Sequence, residues 1–419
     1  MTDLAPHRPD TVEALEALFQ GAIAEQRSLH LQGTGSKSGF GPMPPETNTG
    51  AVVETVDLSA FSGILDYDPA EMVLTAGAAT PMAEILAALD EAGQHMAFEP
   101  PDPTGLYGDG VGKGSLGGLV ATNWAGPRRI SAGAVRDHVL GFKAVSGRGE
   151  AFKSGAKVVK NVTGFDLPKI LTGSHGALAA LTEISIKVLP RPEAGRSVVL
   201  FGLSAADAVG LLSAALGSPH EVSGAAHLPS GVAERCGGFG TAAGDASATV
   251  VRVEGPEASA VYRAEALKEL LAGLAPHADV QLLDQAASQQ AWAAIRDATP
   301  LASRSDRLIW RTSVAPMAGP ALLDALSMRD GFEDLDAMLD WGGGLVWLSL
   351  PDASVDGGAE MIRAEISALG GGHATLMRAP EVLRARIPVF QPQPGPLAKV
   401  QQRIKDGFDP TGILFPGQF

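Results

Sequence analysis

The sequence predicts a protein of two domains, both of the α+β class. Its 419 residues exceed one ordinary core, and at about 150 residues per domain they correspond to two or three domains. Strand-like and helix-like segments occur in mixed order up to about residue 190. The sequence PRPEAG at 190–195, which contains two prolines and a glycine, reads as a linker. It separates these segments from a second series of strands and helices.

The first domain is predicted to begin with a helix. In PDTVEALEALFQGAIAE (9–25), apolar residues recur at helical spacing, and Asp10 and Glu13 are spaced as a capping box. Four short strand-like runs follow: SLHLQ, GAVVETVDL, GILDYD and EMVLTAGA. A helix from Pro81 to Ala92 then ends at Gly93.

The same criteria predict the remaining elements. Strands lie near HVLGFKAVS and LAALTEISIKVL, with the short helix DLPKIL between them. Beyond the linker, strands alternate with helices: SVVLFGL with 205–216, ATVVRVEG with 257–272, LIWRTSV with 320–328 and LVWLSL with 357–369. This order indicates a second α+β domain with its helices on one face of the sheet. The last segment, PLAKVQQRIKDGFDPTGILFPGQF, reads as a helix followed by an extended end.

Charge and hydropathy exclude several classes of partner. The net charge is −15, so a general nucleic-acid or anionic-membrane surface is not expected. No apolar run approaches the roughly 18 residues of a membrane span, and the first residues do not resemble an export signal. One stretch departs from the acidic average: residues 128–169 carry nine Lys or Arg against three acids. It could face an anion or an acidic partner, or form a solvated basic face.

Cysteine and glycine usage narrow the chemistry. Cys236 is the only cysteine, which excludes an internal disulfide framework and any cysteine-ligated cluster built by this chain alone. A single cysteine fits a reducing compartment. Glycine is concentrated, with seven of the fourteen residues from Gly105 to Gly118. Such density without a period predicts a binding loop lined by main chain.

The stretch LQGTGSKSGFG (31–41) is a second glycine-rich loop with three possible readings. A P-loop needs glycine directly before the lysine, whereas Lys37 follows Ser36. A Rossmann fingerprint needs G-x-G-x-x-G opening a helix, but the glycine spacing differs and prolines follow. The remaining reading is a loop whose amides hold an anion without a helix behind it.

Four segments of the first domain share this character: GTGSKSG, PPDP, GKGSLGGLVATNWAGPRR and VVKNVTGFDLPKILTGSHGALAALTEI. Each alone could be an ordinary turn. Four such loops together predict an extended ligand, because glycine lets main chain approach a phosphate or a flat ring.

In this order the segments resemble the FAD-binding domain of the vanillyl-alcohol oxidase and p-cresol methylhydroxylase (PCMH) family. The resemblance covers about residues 10–190 and the C-terminal FDPTGILFPG. Within that family, the chain is similar to the E-subunit family of bacterial glycolate oxidase through five segments: VATNWAGPRRISAGAVRDHVLGFKAVSGRGE, VVKNVTGFDLPKILTGS, LTEISIKVLPRP, LIWRTSV and WGGGLVWL.

The resemblance implies a domain plan. Residues 1–190 would form a PCMH-type FAD-binding domain of two α+β subdomains. Residues 195–390 would form an α+β cap domain with an antiparallel sheet, and 391–419 would pack back near the flavin. Related sequences usually end in NPG followed by Lys or Arg, where this chain has Phe415 and Gln418.

The resemblance also implies the FAD contacts. The pyrophosphate would be held by the amides of Gly33, Thr34, Gly35, Ser36, Lys37 and Ser38. The ribityl chain and isoalloxazine ring would be lined by Asp102, Pro103, Gly114, Ser115, Leu116, Gly117, Gly118, Thr122, Asn123 and Gly126. Supporting contacts would come from Gly133, Arg136 and Asp137, with the main chain of Glu183 and Ile184 at the adenine end. The structural alternatives are that Arg136 pairs with Asp137 and that Asn123 caps a turn. The first loop has no histidine, so FAD should be bound non-covalently.

Oxidation of a 2-hydroxy acid needs a cation for the carboxylate and a base for the hydroxyl proton. Relatives that oxidise D-2-hydroxy acids commonly use a histidine-rich strand, HxGDGNxH, that supports a metal. This chain has WGGGLVWLSLP at the comparable place, which supplies neither a base nor a ligand, so no metal is predicted. The candidate catalytic residues are Arg311, as a carboxylate clamp, and His175; His138 and His373 are weaker candidates. For Arg311 the alternative is a strand-end salt bridge.

The resemblance therefore implies an FAD-binding subunit of a complex that oxidises glycolate to glyoxylate. Its partners would be a homologous FAD subunit (D) and an iron–sulfur subunit (F) that passes electrons towards the membrane quinone pool. The protein would be cytoplasmic and would reach the inner face of the membrane through its partners. Two alternatives stay open: a stand-alone FAD-dependent 2-hydroxy-acid dehydrogenase of D-lactate type, and a flavin-bearing structural subunit without turnover.

Overall fold

The computed structural model describes residues 5–42, 53–108, 112, 114–155, 165–239, 244–352 and 354–415. The chain divides into two compact units. The first comprises Met1–Ala125, Gly133–Arg191 and Pro392–Phe419, and the second comprises Gly126–Ala132 and Pro192–Gln391. Within the described ranges, no helix is long and apolar enough to span a bilayer.

The strands are, in chain order, β1 (Ser28–Gln32), β2 (Val53–Asp57), β3 (Ile64–Asp68), β4 (Val73–Gly77), β5 (Gln94–His95), β6 (Val139–Ser146), β7 (Ala151–Gly155), β8 (Ala179–Lys187), β9 (Leu189–Pro190), β10 (Ala194–Phe201), β11 (Val222–Leu228), β12 (Ala248–Gly255), β13 (Asp279–Leu283), β14 (Arg307–Ser313), β15 (Asp336–Asp340), β16 (Leu345–Pro351), β17 (His373–Arg378) and β18 (Leu414–Phe415).

The helices are α1 (Val12–Glu25), α2 (Met82–Glu91), α3 (Thr104–Tyr107), α4 (Leu116–Thr122), α5 (Arg129–Ala132), α6 (Leu167–Leu171), α7 (Ala205–Leu216), α8 (Ser230–Cys236), α9 (Glu257–Leu274), α10 (Gln285–Arg296), α11 (Thr299–Ala302), α12 (Ala318–Ser327), α13 (Ala359–Ala368), α14 (Glu381–Arg386) and α15 (Gly395–Phe408). Short 3-10 turns lie at Val135–Asp137 and Trp341–Gly343.

The predicted first helix forms, but its cap differs from the prediction. The N-cap is Thr11, whose hydroxyl accepts the Ala14 amide at 3.1 Å, and not Asp10. Thr11 is extended, with φ −134 and ψ 161, which is the geometry an N-cap needs. The helix buries Leu15 and Phe19 as its periodicity predicts.

A small parallel sheet forms the first α+β layer of the first unit. Its strand order is β18-β1-β2, so the last described residues pair with a strand near the start of the described chain. Helix α1 covers this sheet, and Phe19 packs in one buried cluster with Leu29, Val56 and Leu414. The sheet delivers the end of β1 directly into the glycine loop at 33–38.

A five-stranded antiparallel sheet forms the second layer of the same unit. Its order is β3-β4-β8-β6-β7. Helices α2 and α4 bury Ile85 and Leu116 in one cluster with Leu74 and Ile184 of the sheet. The unit thus contains two α+β subdomains, as the resemblance implies. Part of the predicted VVKNVTG segment lies at 156–164, outside the described residues.

The second unit is built on one antiparallel sheet of eight strands, in the order β13-β10-β12-β11-β15-β16-β14-β17. The expectation that its helices lie on one face is wrong. On β10, Val198 packs in the cluster that contains Leu267 of α9, whereas the neighbouring Ser197 bonds Trp292 of α10. Because successive strand residues point to opposite faces, helices cover both sides of the sheet.

Candidate functional site

The loop after β1 has the backbone of an anion-binding turn. Gly35 adopts φ +71, and the loop closes through bonds from the Ser38 amide to Gly35 O (3.1 Å) and from the Phe40 amide to Lys37 O (2.9 Å). In the part of the chain that the structure describes, the amides of residues 33–37 donate to no protein acceptor. Adjacent free amides of this kind are what phosphate oxygens require.

A second glycine loop, at 114–118, faces the first at very short range. A Cβ on Gly114 would lie 2.7 Å from Ser36 Oγ and 2.9 Å from Lys37 Nζ, and Gly114 has φ +85. A Cβ on Gly33 would lie 2.9 Å from Ser115 Oγ. Any side chain at these glycines would therefore occupy the space between the two loops.

Helix α4 begins inside this second loop. Ser115 caps it by accepting the Gly118 amide at 3.3 Å, and the Leu116 amide donates to Thr80 O at 3.1 Å. The Gly117 amide donates to Ala78 O at 2.6 Å, and a Cβ on Gly117 would meet that oxygen at 2.8 Å. Glycine is thus required for the close approach of α4 to the end of β4.

The two loops border a cavity within the first unit. The cavity is lined by Leu31, Gly33, Leu58, Ala78, Ala79, Ser115, Gly117, Gly118, Ala121, Leu171, Ser174, His175, Gly176, Ala179 and Leu181. Its wall combines apolar side chains with exposed main chain from three glycine-containing segments.

Lys37 provides a positive charge beside the glycine loops. Its ammonium is 3.5 Å from the position of a Cβ on Gly118. Burial lowers the pKa of Lys37 to about 8, and the nearby Asp102 carboxylate partly opposes that shift. Asp102 is itself fixed, because its Oδ1 accepts the amide and hydroxyl of Thr104 at 3.0 and 2.7 Å, where Pro103 leads into α3. The lysine charge would be stabilised by an anion in the cavity.

The residues after α4 are engaged with one another. The Thr122 hydroxyl donates to Gly118 O at 2.9 Å within the helix. Asn123 ends α4 in the left-handed region (φ 49), and its Oδ1 accepts the Arg136 amide at 3.2 Å. Asn123 therefore caps a turn, which is the structural alternative, and its contact with flavin stays a prediction.

Gly133 and Asp137 form a second local turn. Asp137 Oδ2 accepts the Ala134 amide at 2.8 Å and would lie 2.9 Å from a Cβ on Gly133, whose φ is +84. Asp137 thus caps this turn, and its role next to the cofactor stays a prediction. Gly126 falls in the second unit, and its carbonyl accepts the indole N–H of Trp341 at 3.1 Å.

Glu183 and Ile184 lie in β8, which pairs on both sides. Glu183 is opposite Gly77 and Lys143, and its carboxylate binds Lys143 Nζ at 2.8 Å. Ile184 is fully buried. Sheet pairing with β4 and β6 thus surrounds this part of β8, and its main-chain contact with adenine stays a prediction.

His175 reaches the cavity from the turn after α6. It adopts φ +53, its amide donates to Ala121 O at 2.9 Å, and its ring lies 5.5 Å from that of Phe40. Burial lowers the pKa of His175 to about 4, so the imidazole is neutral at physiological pH. The weaker candidates lie elsewhere: His138 is buried, and His373 is the exposed first residue of β17.

Arg311 lies in β14 of the second unit, between two tryptophans. Its guanidinium carbon is 5.0 Å from the centroid of the Trp341 ring and 5.8 Å from that of Trp347. A third group, Arg129 of α5, stands 4.5 Å from the same Trp341 centroid. No salt bridge of Arg311 occurs among the residues that the structure describes, so the strand-end ion pair is not what is observed.

Three further features concern Cys236, metal-ligating groups and the C-terminal residues. Cys236 is buried, which raises its pKa to about 12 and leaves it an inert thiol. No group of three or more His, Cys, Asp or Glu is placed to hold a metal in the described ranges. Phe415 belongs to β18, opposite His30, while Gln418 lies outside the described residues.

The basic stretch at 128–169 is partly neutralised locally. Arg128 binds Glu254 at 2.7 Å, and Lys143 binds Glu183 at 2.8 Å. Its members between 156 and 164 lie outside the described residues. The described part is therefore not one continuous anion-binding face.

Sequence reasoning missed three contributors to these sites. Ser174 and Gly176 line the cavity on either side of His175. Arg129 shares the Trp341 ring with Arg311. The TGSHG segment could have indicated the first two residues, but only tertiary structure brings Arg129 and Arg311 together.

The chemistry of the cavity fits FAD. Free amides at 33–37 and the Lys37 charge suit a pyrophosphate, and the apolar remainder suits flat rings. A Cβ at Gly33 or Gly114 would collide with the facing loop, so glycine at both positions keeps the two loops in their observed arrangement. The residues present are therefore those that a dinucleotide held by main chain requires.

Comparison with known proteins identifies this domain. An FAD binding domain model matches residues 5–155. In the fold comparison, 4-ethylphenol oxidase from Gulosibacter chungangensis aligns with a TM-score of 0.70 at 15% identity, covering 98% of this chain and 88% of that one. p-Cresol methylhydroxylase also gives a TM-score of 0.70, at 13% identity and with 98% and 87% coverage. These likenesses establish the PCMH-type fold.

Sequence comparison identifies the family. The glycolate oxidase subunit GlcE of Escherichia coli (strain K12) is 32% identical over 411 residues, which is 98% of this chain and 97% of that protein. The D-lactate dehydrogenase of Archaeoglobus fulgidus is 29% identical over 184 residues, 44% of this chain and 38% of that protein. The family model and these relatives establish FAD as the cofactor. The chain belongs to the family of the glycolate oxidase subunit GlcE.

Proposed function

We propose that this protein is the FAD-binding subunit of a glycolate oxidase complex that oxidises glycolate to glyoxylate. One observation carries the proposal: similarity to GlcE extends over 98% of the chain, beyond the FAD domain alone. The glycine-lined cavity of the first unit supports the same function, because it suits the cofactor that such an oxidation needs.

The reaction removes two electrons and two protons from the carbinol carbon and hydroxyl of glycolate. FAD, when bound, supplies the acceptor for those electrons. The chain's own residues do the positioning. Amides 33–37 and the Lys37 ammonium would hold the pyrophosphate, and Gly114, Gly117 and Gly118 would let main chain approach the cofactor. The main-chain cradle needs no covalent attachment to hold the cofactor.

The electrons must leave through another chain in this proposal. Cys236 is the only cysteine of the sequence and is a buried thiol with a pKa of about 12. It cannot ligate an iron–sulfur cluster, which needs several thiolates. The partners would be an iron–sulfur subunit (F) and a homologous flavin subunit (D). The glycolate oxidase subunit GlcD of Bacillus subtilis is 29% identical over 32% of this chain, which supports the second of these.

A second candidate function is a stand-alone 2-hydroxy-acid dehydrogenase. The similarity to the Archaeoglobus fulgidus D-lactate dehydrogenase favours it, although that similarity covers only 38% of the relative. A third is a flavin-bearing subunit that completes the complex without turnover of its own. The absence of a histidine-rich strand at WGGGLVWLSLP favours this reading over the second.

Anaerobic titration separates the three. The purified chain with FAD is mixed with glycolate while the flavin absorbance band is followed, first alone and then with the D and F subunits and an electron-accepting dye. We expect glycolate-dependent dye reduction only with the partners present. Bleaching by glycolate of the chain alone would favour the stand-alone dehydrogenase.

A variant of the glycine loop at 114–118 tests whether this subunit has only a structural role in the complex. Replacing Gly117 by valine should empty this chain of FAD, because a Cβ there meets Ala78 O at 2.8 Å. Loss of glycolate oxidation in the reconstituted complex is the expected result. Full activity of a complex that contains this FAD-free chain would favour the structural subunit. A complex without activity in any combination would refute the proposed function.

A further inference from the structure

Two arginines of the second unit share one tryptophan ring. The guanidinium carbons of Arg129 and Arg311 lie 4.5 and 5.0 Å from the centroid of Trp341. The guanidinium carbon of Arg311 also lies 5.8 Å from the centroid of Trp347, which is opposite Arg311 in the β14–β16 pairing. Two guanidinium groups repel each other. A fold that places both beside one ring therefore needs an interaction that compensates for the repulsion.

The tryptophan between them is held in a fixed position. Its indole N–H donates to Gly126 O at 3.1 Å, and its amide donates to Asp340 Oδ1 at 2.6 Å. Trp341 adopts φ +54, a region that bulky residues rarely occupy and that is concentrated at binding sites. Gly343 follows with φ +105, and a Cβ there would meet Pro316 O at 2.7 Å. The turn is therefore closely packed and keeps its ring in place.

Arg311 has hydrogen-bonding capacity to spare. Its Nε is buried and has no hydrogen-bond partner within the described chain. The cation–π contacts with Trp341 and Trp347 use no hydrogen bond, so they do not satisfy the N–H donors of the guanidinium group. A buried charged donor without an acceptor is costly, so an acceptor at this edge would stabilise the protein.

Arg311 remains a cation at neutral pH. Two charged groups act on it: Arg129 repels its guanidinium group, and Asp340 attracts it. Burial, and then the repulsion of Arg129, lower the pKa of Arg311 to about 10 despite the opposing Asp340, which leaves it protonated at neutral pH. A carboxylate bound at Arg311 would offset both the burial of this charge and its repulsion by Arg129.

We propose that Arg311 and Arg129 form a binding site for the carboxylate of a small 2-hydroxy acid. Arg311 donates from Nε and a terminal nitrogen to the two carboxylate oxygens, and Arg129 supplies the second charge. A planar fork matches a carboxylate in two parallel hydrogen bonds. The choice of glycolate as occupant rests on the proposed function, whereas the carboxylate site itself rests on the residues above.

Direct binding of glycolate to the full FAD-loaded chain tests this site without turnover. Calorimetry measures the affinity, with glycolamide as the neutral analogue and inorganic phosphate as a non-planar anion. We expect glycolate to bind, glycolamide not to bind, and Arg311→Met to weaken glycolate binding about 30-fold or more. Arg129→Met should weaken it about tenfold. The control is Arg329→Met, because Arg329 makes an exposed pair with Glu365 in the same unit and should change nothing.

Tryptophan fluorescence tests whether glycolate binds beside Trp341. Glycolate should change the emission of the wild-type chain, and Trp341→Phe should remove most of that change while the protein stays folded by circular dichroism. If Arg311→Met does not fold, Arg311→Lys keeps the charge without the fork and should bind glycolate more weakly than wild type. Unchanged binding in Arg311→Lys and Arg129→Met would then overturn the proposal.

The remaining outcomes separate the site from the proposed function. Equal affinity for glycolamide or phosphate, or no binding of glycolate by the wild-type chain, would overturn the carboxylate site. Glycolate binding that depends on Arg311, in a protein whose complex does not oxidise glycolate, would support the site and refute the function. Full glycolate oxidation by a complex that contains Arg311→Met would leave the function standing and overturn the assignment of this site to its substrate.

Discussion

Replacing Gly114 by alanine tests whether the two glycine loops hold FAD. Gly114 has φ +85, and a Cβ there would lie 2.7 Å from Ser36 Oγ and 2.9 Å from Lys37 Nζ. The left-handed conformation costs a non-glycine residue about 1–2 kcal/mol. The methyl group would in addition displace the Ser36 hydroxyl and the Lys37 ammonium from their present positions. We therefore expect FAD affinity to fall at least about tenfold, or about 1.4 kcal/mol.

Gly93→Ala is the matched control. Gly93 has φ +65, but nothing lies within 4 Å of a Cβ at this position. The substitution therefore carries a similar backbone cost without a new contact. Both apoproteins should lose about 1–2 kcal/mol of unfolding free energy in urea. Only Gly114→Ala should lose FAD affinity.

The assay is titration of each apoprotein with FAD, followed by flavin fluorescence. Wild type, Gly93→Ala and Gly114→Ala are compared at equal protein concentration. FAD binding by Gly114→Ala within about twofold of wild type would refute the reasoning, since RT ln 2 is well below the expected cost. Equal losses in both variants would mean that backbone strain alone, and not the contact with Ser36 and Lys37, determines affinity.

Three other side chains of the first unit give separate tests. The pKa of Lys37 is about 8 without FAD and should rise on contact with phosphate, so FAD affinity should be constant below about pH 8 and fall above it. Lys37→Met should lose that dependence in the same titration, and a variant with unchanged pH dependence would contradict it. Asp409→Asn removes the carboxylate 2.6 Å from the buried Lys405 ammonium and should lower the urea unfolding free energy by about 3–5 kcal/mol. The exposed Asp406→Asn should change it by less than about 0.5 kcal/mol, and similar losses in both variants would argue against the buried pair. Because the pKa of His175 is about 4, His175→Gln should lower glycolate turnover by less than about tenfold, whereas a loss of roughly 10²–10⁴ would identify His175 as the base.

Local sequence predicts much of the secondary structure. SLHLQ is β1 at its predicted bounds, and the helix at 205–216 is α7 with Ser204 as its cap. In both places the local signals agree with the final environment: the helix buries Leu212 on one side and carries a capping hydroxyl in front of it. Elements that carry their own start and stop residues need no tertiary information.

Strand β11 shows why the remainder could not be predicted. VSGAAHL has no alternation of polar and apolar residues, because all seven positions are buried. Its Gly224 is required by a distant residue, since a Cβ there would meet the Trp292 ring at 2.8 Å. No local pattern contains that contact with Trp292 of α10, so β11 does not follow from local sequence.

The candidate sites also differ in how far the sequence predicts them. The glycine loops at 33–38 and 114–118 are predictable because their function lies in the main chain, and glycine marks it in the sequence. Arg129 and Arg311 are separated by more than a hundred residues, and their common ring at Trp341 appears only in the folded second unit. Sequence reasoning finds Arg311 as a candidate but cannot find its neighbour.

The pairing of β18 with β1 sets an order of events during synthesis. The first unit is completed by Pro392–Phe419, and Leu414 of that segment packs with Leu29 and Val56 beside the first glycine loop. Residues 192–391 must therefore leave the ribosome first, which takes roughly 10–40 s at about 5–20 residues per second. The second unit can fold during that interval, whereas the parallel sheet below the FAD loop is still incomplete. Cofactor capture is thus expected only after the segment from Pro392 to Phe415 has been synthesised, and FAD supplied earlier should not protect nascent chains arrested before residue 392 from proteolysis.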